Sequence, residues 1–184
     1  AEQVFVPITV GGGIRSTEEA YEMLRAGADK IAINTQATHR PEMITEMANR
    51  FGSQCMVLQI DAKRDGKGGW EAYRDGGREH TGLDAVGWAR RGQELGAGEI
   101  LLTSVDHEGM RRGFDVELVR AVSDAVTIPV IASGGMGRLD HLDAVVRDGG
   151  ADAVAMAYVL HYGKLALPDI RDHAAQAGIP VRTV

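Results

Sequence analysis

Pro7-Ile8-Thr9-Val10-Gly11-Gly12-Gly13-Ile14 and Pro129-Val130-Ile131-Ala132-Ser133-Gly134-Gly135-Met136 are two copies of one pattern, an apolar β-branched run that ends in a glycine turn. A helical segment follows each copy. After it, Ala26-Gly27-Ala28-Asp29-Lys30-Ile31-Ala32-Ile33 lines up with Gly149-Gly150-Ala151-Asp152-Ala153-Val154-Ala155-Met156. The unit strand, glycine turn, helix, strand therefore occurs twice, about half a chain apart. A doubly wound sheet can hold such a repeat. A barrel uses it more naturally, because it sets the two units on opposite sides of one mouth.

Working outward, six apolar runs read as strands: Val4–Val10, Lys30–Asn34, Met56–Asp61, Glu99–Asp106, Val126–Ser133 and Ala153–Leu160. None alternates apolar with polar, as a half-exposed strand would, so both faces of each should be covered, as in a parallel sheet. Helical spacing fills the gaps, over Thr17–Ala26, Pro41–Phe51, Leu83–Leu95, Val116–Ala125, Leu139–Asp148 and Pro168–Ala177. Ser16 caps the first helix ahead of Glu18 and Glu19, and Gly27, Gly52, Gly96, Gly149 and Gly178 stop five of them. Strict alternation of strand and helix predicts an all-parallel α/β architecture, a TIM-type (β/α) barrel with six of its eight units. One stretch breaks the rhythm. Lys63–Thr81 is polar and glycine-rich, and reads as a hairpin turning at Asp75-Gly76 on the loop after the third strand. Such a loop either covers a site or is a surface excursion.

The chain of 184 residues fits one domain, residues 1–184, with 44% hydrophobic and 25% charged residues. A formal charge of -6 without any basic run argues against nucleic acid as a partner. Anion binding by backbone N–H groups needs no net positive charge and remains open. The single cysteine, Cys55, excludes an intrachain disulfide and fits a reducing, cytoplasmic setting. No apolar run reaches the length of a membrane span, and the first residues carry no signal-peptide pattern.

Chemistry concentrates at strand ends. A glycine turn between a parallel strand and a helix lets backbone amides approach an anion, and Gly11-Gly12-Gly13 and Ser133-Gly134-Gly135 hold that place. The strand after each turn ends beside it, so Asn34-Thr35 and Ala157-Tyr158 should complete the two pockets. One such turn reads as mere backbone geometry; two in register read as grips for two phosphates. Asp61 and Asp106 end their strands and should point into the mouth, where barrel enzymes keep acids and bases. Thr103 and Ser104 offer hydroxyls nearby. A structural reading of Asp61 pairs it with Lys63 or Arg64. The six histidines lack metal-ligand spacing, so no metal is expected, and Gly11-Gly12-Gly13 lacks the later glycine and ribose-binding acid of a dinucleotide fingerprint. No cofactor is expected. Cys55, Met43 and Met47 read as core filling.

Thr9-Val10-Gly11-Gly12-Gly13-Ile14-Arg15, Ala28–Thr35, Gln59-Ile60-Asp61-Ala62-Lys63-Arg64, Gly98–Asp106 and Ile131-Ala132-Ser133-Gly134-Gly135 together resemble the cyclase subunit of imidazole glycerol phosphate synthase, strands three to eight of that barrel. The isomerase of the preceding histidine-pathway step shares the glycine turns, but Asn34-Thr35, Asp61–Arg64 and Leu102-Thr103-Ser104 fit the cyclase better. The resemblance implies a lyase. It takes ammonia and a bisphosphorylated ribulosyl-formimino aminoimidazole carboxamide nucleotide, and releases imidazole glycerol phosphate and an aminoimidazole carboxamide ribotide. It implies a glutaminase partner that supplies ammonia through the barrel. Asp61 matches one of two acid/base aspartates, the other lying on a first strand that this chain lacks. Gly12, Gly13, Asn34 and Thr35 match one phosphate site. Glu108, Gly109, Ser133, Gly134, Gly135, Ala157 and Tyr158 match the other, beside Thr103 and Asp106. Lys30 and Glu99, at strand starts, match the charged ring of the ammonia entrance.

Two departures stand out. Glu108-Gly109-Met110 replaces the usual Asp-Gly-Thr, losing a hydroxyl, and Tyr158 replaces a small Ser. They leave room for a paralogue with an altered substrate, as in surface-sugar biosynthesis, or for a non-catalytic phosphate-ligand-binding fragment. The two missing units imply truncation at the N-terminus, and a chain that alone is nearly inactive.

Overall fold

The structure, a computed structural model, describes residues 4–181. In chain order the elements are β1 (Thr9–Gly11), α1 (Thr17–Arg25), β2 (Lys30–Ile33), α2 (Thr35–His39), α3 (Glu42–Phe51), β3 (Met56–Arg64), β4 (Trp70–Arg74), β5 (Glu79–Asp84), α4 (Ala85–Leu95), β6 (Glu99–Ser104), α5 (Val116–Ser123), β7 (Val130–Ser133), α6 (Asp140–Arg147), β8 (Ala153–Ala155), α7 (Tyr158–His161) and α8 (Leu167–Gln176). Strands β1, β2, β3, β6, β7 and β8 lie side by side in that order, every neighbour parallel. Helices fill the crossovers, as a parallel sheet requires. The result is an incomplete TIM-type α/β barrel. Among the described residues β1 and β8 each pair on one side only.

Strand parity sorts the side chains. Met56, Leu58, Ile60 and Ala62 of β3 enter the apolar core beneath the helices, while Val57, Gln59, Asp61 and Lys63 face the opposite, concave side. In β6, Ile100 and Leu102 go to the core, and Glu99, Leu101 and Thr103 to the concave side. Helices close the core from outside. Met43, Ile44 and Met47 of α3, Trp88 and Ala89 of α4, and Leu118, Val119 and Val122 of α5 are all buried there. Gly92 of α4 lies so close to Leu58 that even a Cβ would collide with its side chain, which brings this helix hard against β3. Local signals act as expected: Ser16 accepts from the Glu19 amide at 3.2 Å at the start of α1, and Asp84 and Asp115 cap α4 and α5 likewise.

Several boundaries differ from the sequence reading: β7 starts only at Val130, the short helix α2 follows β2, and three further differences bear on the site. β1 is only Thr9–Gly11, with Val4, Phe5 and Val6 exposed ahead of it. The run Ala153–Leu160 is a three-residue strand followed by the short helix α7: pairing with β7 ends at Ala155, and the backbone turns helical from Tyr158. β6 stops at Ser104, so Asp106 belongs to the following turn rather than to the strand. The hairpin is present as β4 and β5, and Asp75, Gly76 and Gly77 turn it with positive φ. It does more than stand off the surface. β3 runs on to Arg64 and pairs antiparallel with β4, carrying the hairpin over the strand ends.

Leu58 is fully buried between β3 and α4. Leu58→Ala is predicted to cost about 2–5 kcal/mol, read as a lower urea midpoint with an unchanged slope.

Candidate functional site

All strands point the same way, so the residues after each strand gather at one rim. Gly12 and Gly13 follow β1, Asn34 and Thr35 follow β2, Asp61 stands near the end of β3, Gly134 and Gly135 follow β7, and Ala157 and Tyr158 follow β8. Two cavities open there. One is lined by Gly12, Gly13, Arg15, Asn34, Thr35, Gln59, Asp61 and the hairpin tip Asp75-Gly76. The other is lined by Glu108, Gly109, Arg111, Ser133, Gly134, Gly135, Ala157 and Tyr158. The repeat seen in the sequence thus becomes two corners, one at each side of the curved sheet, with β3 and β6 between them.

The corners share one feature. Among the described residues, the amides of Gly12, Gly13, Gly134 and Gly135 donate to no protein acceptor, nor do those of Ala157 and Tyr158. Gly12 and Gly13 are exposed and have positive φ (94° and 75°), with open space where a side chain would stand. Gly134 and Gly135 are buried. A Cβ at Gly134 would stand 2.8 Å from the Ser104 carbonyl oxygen, and one at Gly135 would collide with the Gly113 carbonyl. Packing thus permits nothing larger than glycine there, and Gly113 donates back to Gly135 at 2.9 Å. Buried N–H groups without an acceptor are uncommon, and a strand-to-helix turn is where such groups meet anions.

Asp61 is buried at 5% exposure, in register with Tyr73 on one side and Thr103 on the other. Asn34 Nδ2 donates to its Oδ2 at 3.0 Å and to the Tyr73 carbonyl at 3.2 Å, while Gln59 Nε2 donates to its Oδ1 at 3.1 Å. Burial pushes the Asp61 pKa above its ordinary value of 3.8; the amides of Gln59 and Asn34 pull the other way and do not cancel it. Among the described residues no cation pairs with the carboxyl. Lys63 lies over the Tyr73 ring, and Arg64 turns to Glu117, Asp115 and the Trp70 ring, so the expected structural pairing with Asp61 is absent among the described residues.

Other expected residues divide. Thr103 joins Asp61 and Ser133 in one layer of the concave face. Ser104 does not; it is buried on the helix side, its hydroxyl without a partner. Asp106 is exposed and accepts from the Arg64 amide at 2.8 Å, so it pins the end of β3 instead of pointing into the mouth as a strand-end acid would. Thr35 is in the first corner, but its hydroxyl accepts from the Asp75 amide at 3.0 Å, latching the hairpin tip to the rim. Trp70 fastens the base of the hairpin by donating to Asp115 at 3.0 Å. Lys30 and Glu99 form an ion pair at the other end of the strands. They flank β3 from either side, and Val57 between them is 1% exposed. Met110 is 47% exposed beside the second corner and offers no polar group.

Sequence reasoning passed over Gln59, Arg15, Asp75 and Arg111 as site residues. Gln59 was findable, since it lies two residues before Asp61 and must share its face. Arg111 was not, because a loop backbone places it. Among the described residues no cluster of three or more His, Cys, Asp or Glu side chains is arranged to hold a metal ion, and no helix is long and apolar enough to cross a membrane.

Fold and rim together define a parallel (β/α) barrel segment whose strand ends carry a duplicated glycine corner around one buried acid. The chain belongs to the histidine biosynthesis protein family, whose profile matches residues 1–166. Members of that family are enzymes of histidine biosynthesis, isomerase- or cyclase-type barrels.

The raised pKa of Asp61 has a stability consequence. The folded protein holds a proton that the unfolded chain releases as pH climbs from 3.8, so this residue's contribution falls with rising pH until the folded-state value is passed. Asp61→Asn lacks that titration. Relative to the variant, the wild type is predicted to lose melting temperature as pH rises from about 3.5 towards neutrality; a constant difference over that range contradicts the burial argument.

Proposed function

We propose that the chain performs the ammonia-dependent lyase and cyclase step of histidine biosynthesis. It takes the bisphosphorylated ribulosyl-formimino aminoimidazole carboxamide nucleotide to imidazole glycerol phosphate and the aminoimidazole carboxamide ribotide. The observation that carries this reading is a buried carboxyl on the concave face, Asp61, set between two groups of glycine amides that meet no protein acceptor among the described residues. A long substrate with a phosphate at each end would seat one in each corner and lay its reactive middle across β3. Gly12, Gly13, Asn34 and Thr35 take one phosphate; Gly109, Ser133, Gly134, Gly135, Ala157 and Tyr158 take the other, with Glu108 at its edge and Thr103 facing the middle.

In this reading Asp61 is the general acid and base on this side of the barrel. Burial keeps its affinity for a proton above that of a free carboxylate, which suits a group that must both give and take one. Gln59 and Asn34 hold it on both oxygens, so the carboxyl does not rotate away from the substrate. Lys30 and Glu99, at the strand starts, form the entrance for ammonia from a docked glutaminase subunit. The exposed Met110 and the large Tyr158 favour a second reading at the same site, a related ammonia-dependent barrel acting on a different phosphorylated substrate.

The test is turnover of the bisphosphate with ammonium salts by the protein in a closed barrel. Asp61→Asn is predicted to lower kcat by about 10²–10⁴ with little change in KM; near-normal turnover rules Asp61 out as the proton carrier. Gln59→Leu removes one hydrogen bond to the ionised form, so the acidic limb of the pH–rate profile should move to higher pH. Wild-type turnover that is absent while the bisphosphate still binds favours the altered-substrate reading.

A further inference from the structure

The second corner contains a cation, Arg111, beside its glycine amides. Arg111 lines the cavity with Glu108, Ser133, Gly134 and Tyr158. Among the described residues its guanidinium meets no carboxylate in an ion pair; its one side-chain hydrogen bond goes to the Tyr158 hydroxyl at 3.0 Å, with the guanidinium 5.1 Å from the centre of the same ring. A phenol is a weak partner for a full charge, so this contact holds the side chain in place without satisfying it.

The backbone goes out of its way to put Arg111 there. Its φ is 60°, one of two non-glycine residues with positive φ among those described. That conformation disfavours an L side chain and persists only where its surroundings impose it. Gly137 permits it, for a Cβ at that position would collide with the Arg111 carbonyl, which packs directly against it. The loop after β6 is thus pressed onto the glycine turn after β7, with Arg111 at the lip of the corner.

Charge gives the side chain a task. Glu108 leans into the same corner, its Oε2 within 3.2 Å of where a Gly134 Cβ would stand. Left alone, that carboxylate would repel the anion that the Gly134 and Gly135 amides are turned to receive. Met110, next in the loop, offers no donor. A guanidinium at the lip both offsets Glu108 and supplies a two-pronged donor matched to phosphate.

We propose that Arg111 is the side-chain ligand and specificity determinant of the second corner: it leaves the Tyr158 hydroxyl to grip the dianionic phosphate monoester end of the substrate, with Tyr158 as its resting partner. This rests on reading that corner as a phosphate site, and deepens it by naming the residue that holds the charge.

The test titrates glycerol phosphate into wild type, Arg111→Ala, Arg111→Lys and Tyr158→Phe, following by NMR the amides of Gly12 and Gly13 separately from those of Gly134 and Gly135. Arg111→Ala is expected to weaken binding at Gly134 and Gly135 tenfold or more and to leave Gly12 and Gly13 within twofold. Arg111→Lys should recover only part, because a point charge replaces the fork. Tyr158→Phe keeps the backbone amide that faces the corner and removes only the hydroxyl, so it should bind at least as tightly as wild type, since the resting contact is gone. Unchanged affinity at Gly134 and Gly135 in Arg111→Ala overturns the proposal and leaves the corner itself intact. Equal weakening at both corners overturns it as a general effect on the fold. Wild-type amides that do not move at all overturn the two-corner reading, and this proposal with it.

Discussion

A buried N–H group that finds no acceptor costs on the order of 1–3 kcal/mol, and folded proteins keep few of them. Gly134 and Gly135 are buried residues that line a cavity, and among the described residues their amides meet no protein acceptor; their turn is so tightly packed against Ser104 and Gly113 that no side chain can replace the hydrogens of their Cα atoms. Gly12 and Gly13 repeat the turn at the other side of the sheet, but exposed, with open space above them and no protein acceptor for their amides among the described residues. The proposed two-phosphate site depends on that pair of turns, whose amides meet no protein acceptor among the described residues. Without them Asp61 is one buried acid among many in proteins; its place between them is what the proposed doubly anionic substrate rests on.

The fold supplies the spacing through parity. Because alternate residues of a strand face opposite ways, β3 sends Leu58 and Ile60 into the core and keeps Gln59 and Asp61 for the concave face. The same rule in β6 puts Thr103 beside Asp61 and leaves Ser104 on the helix side. Rigidity comes from the convex face, where α3, α4 and α5 bury their apolar stripes, and from the hairpin β4–β5, fastened by Trp70 to Asp115 at its base and by Asp75 to Thr35 at its tip. The hairpin makes a wall over the first corner, while the loop carrying Arg111 walls the second.

Much of this was legible in the sequence, for identifiable reasons. The repeat, the apolar strand runs and the glycine stops have local causes, so the parallel α/β barrel and the places of the two corners followed from residue order. What was misjudged depended on neighbours far along the chain. Asp106 looked like a strand-end acid, but β6 stops two residues earlier and its carboxylate is taken by the Arg64 amide, forty-two residues away. Leu160 looked like strand, but β8 is short and the chain turns into a helix. Arg111 carried no signal at all, because its position follows from a backbone twist that Gly137 makes possible from another loop.

The central claim concerns where anions sit, and a crystal of the protein soaked in selenate measures that directly, since anomalous scattering locates each bound ion. The account predicts two peaks, one against the amides of Gly12 and Gly13 and one against those of Gly134 and Gly135. A crystal with neither peak, and with those amides turned to protein acceptors, contradicts it.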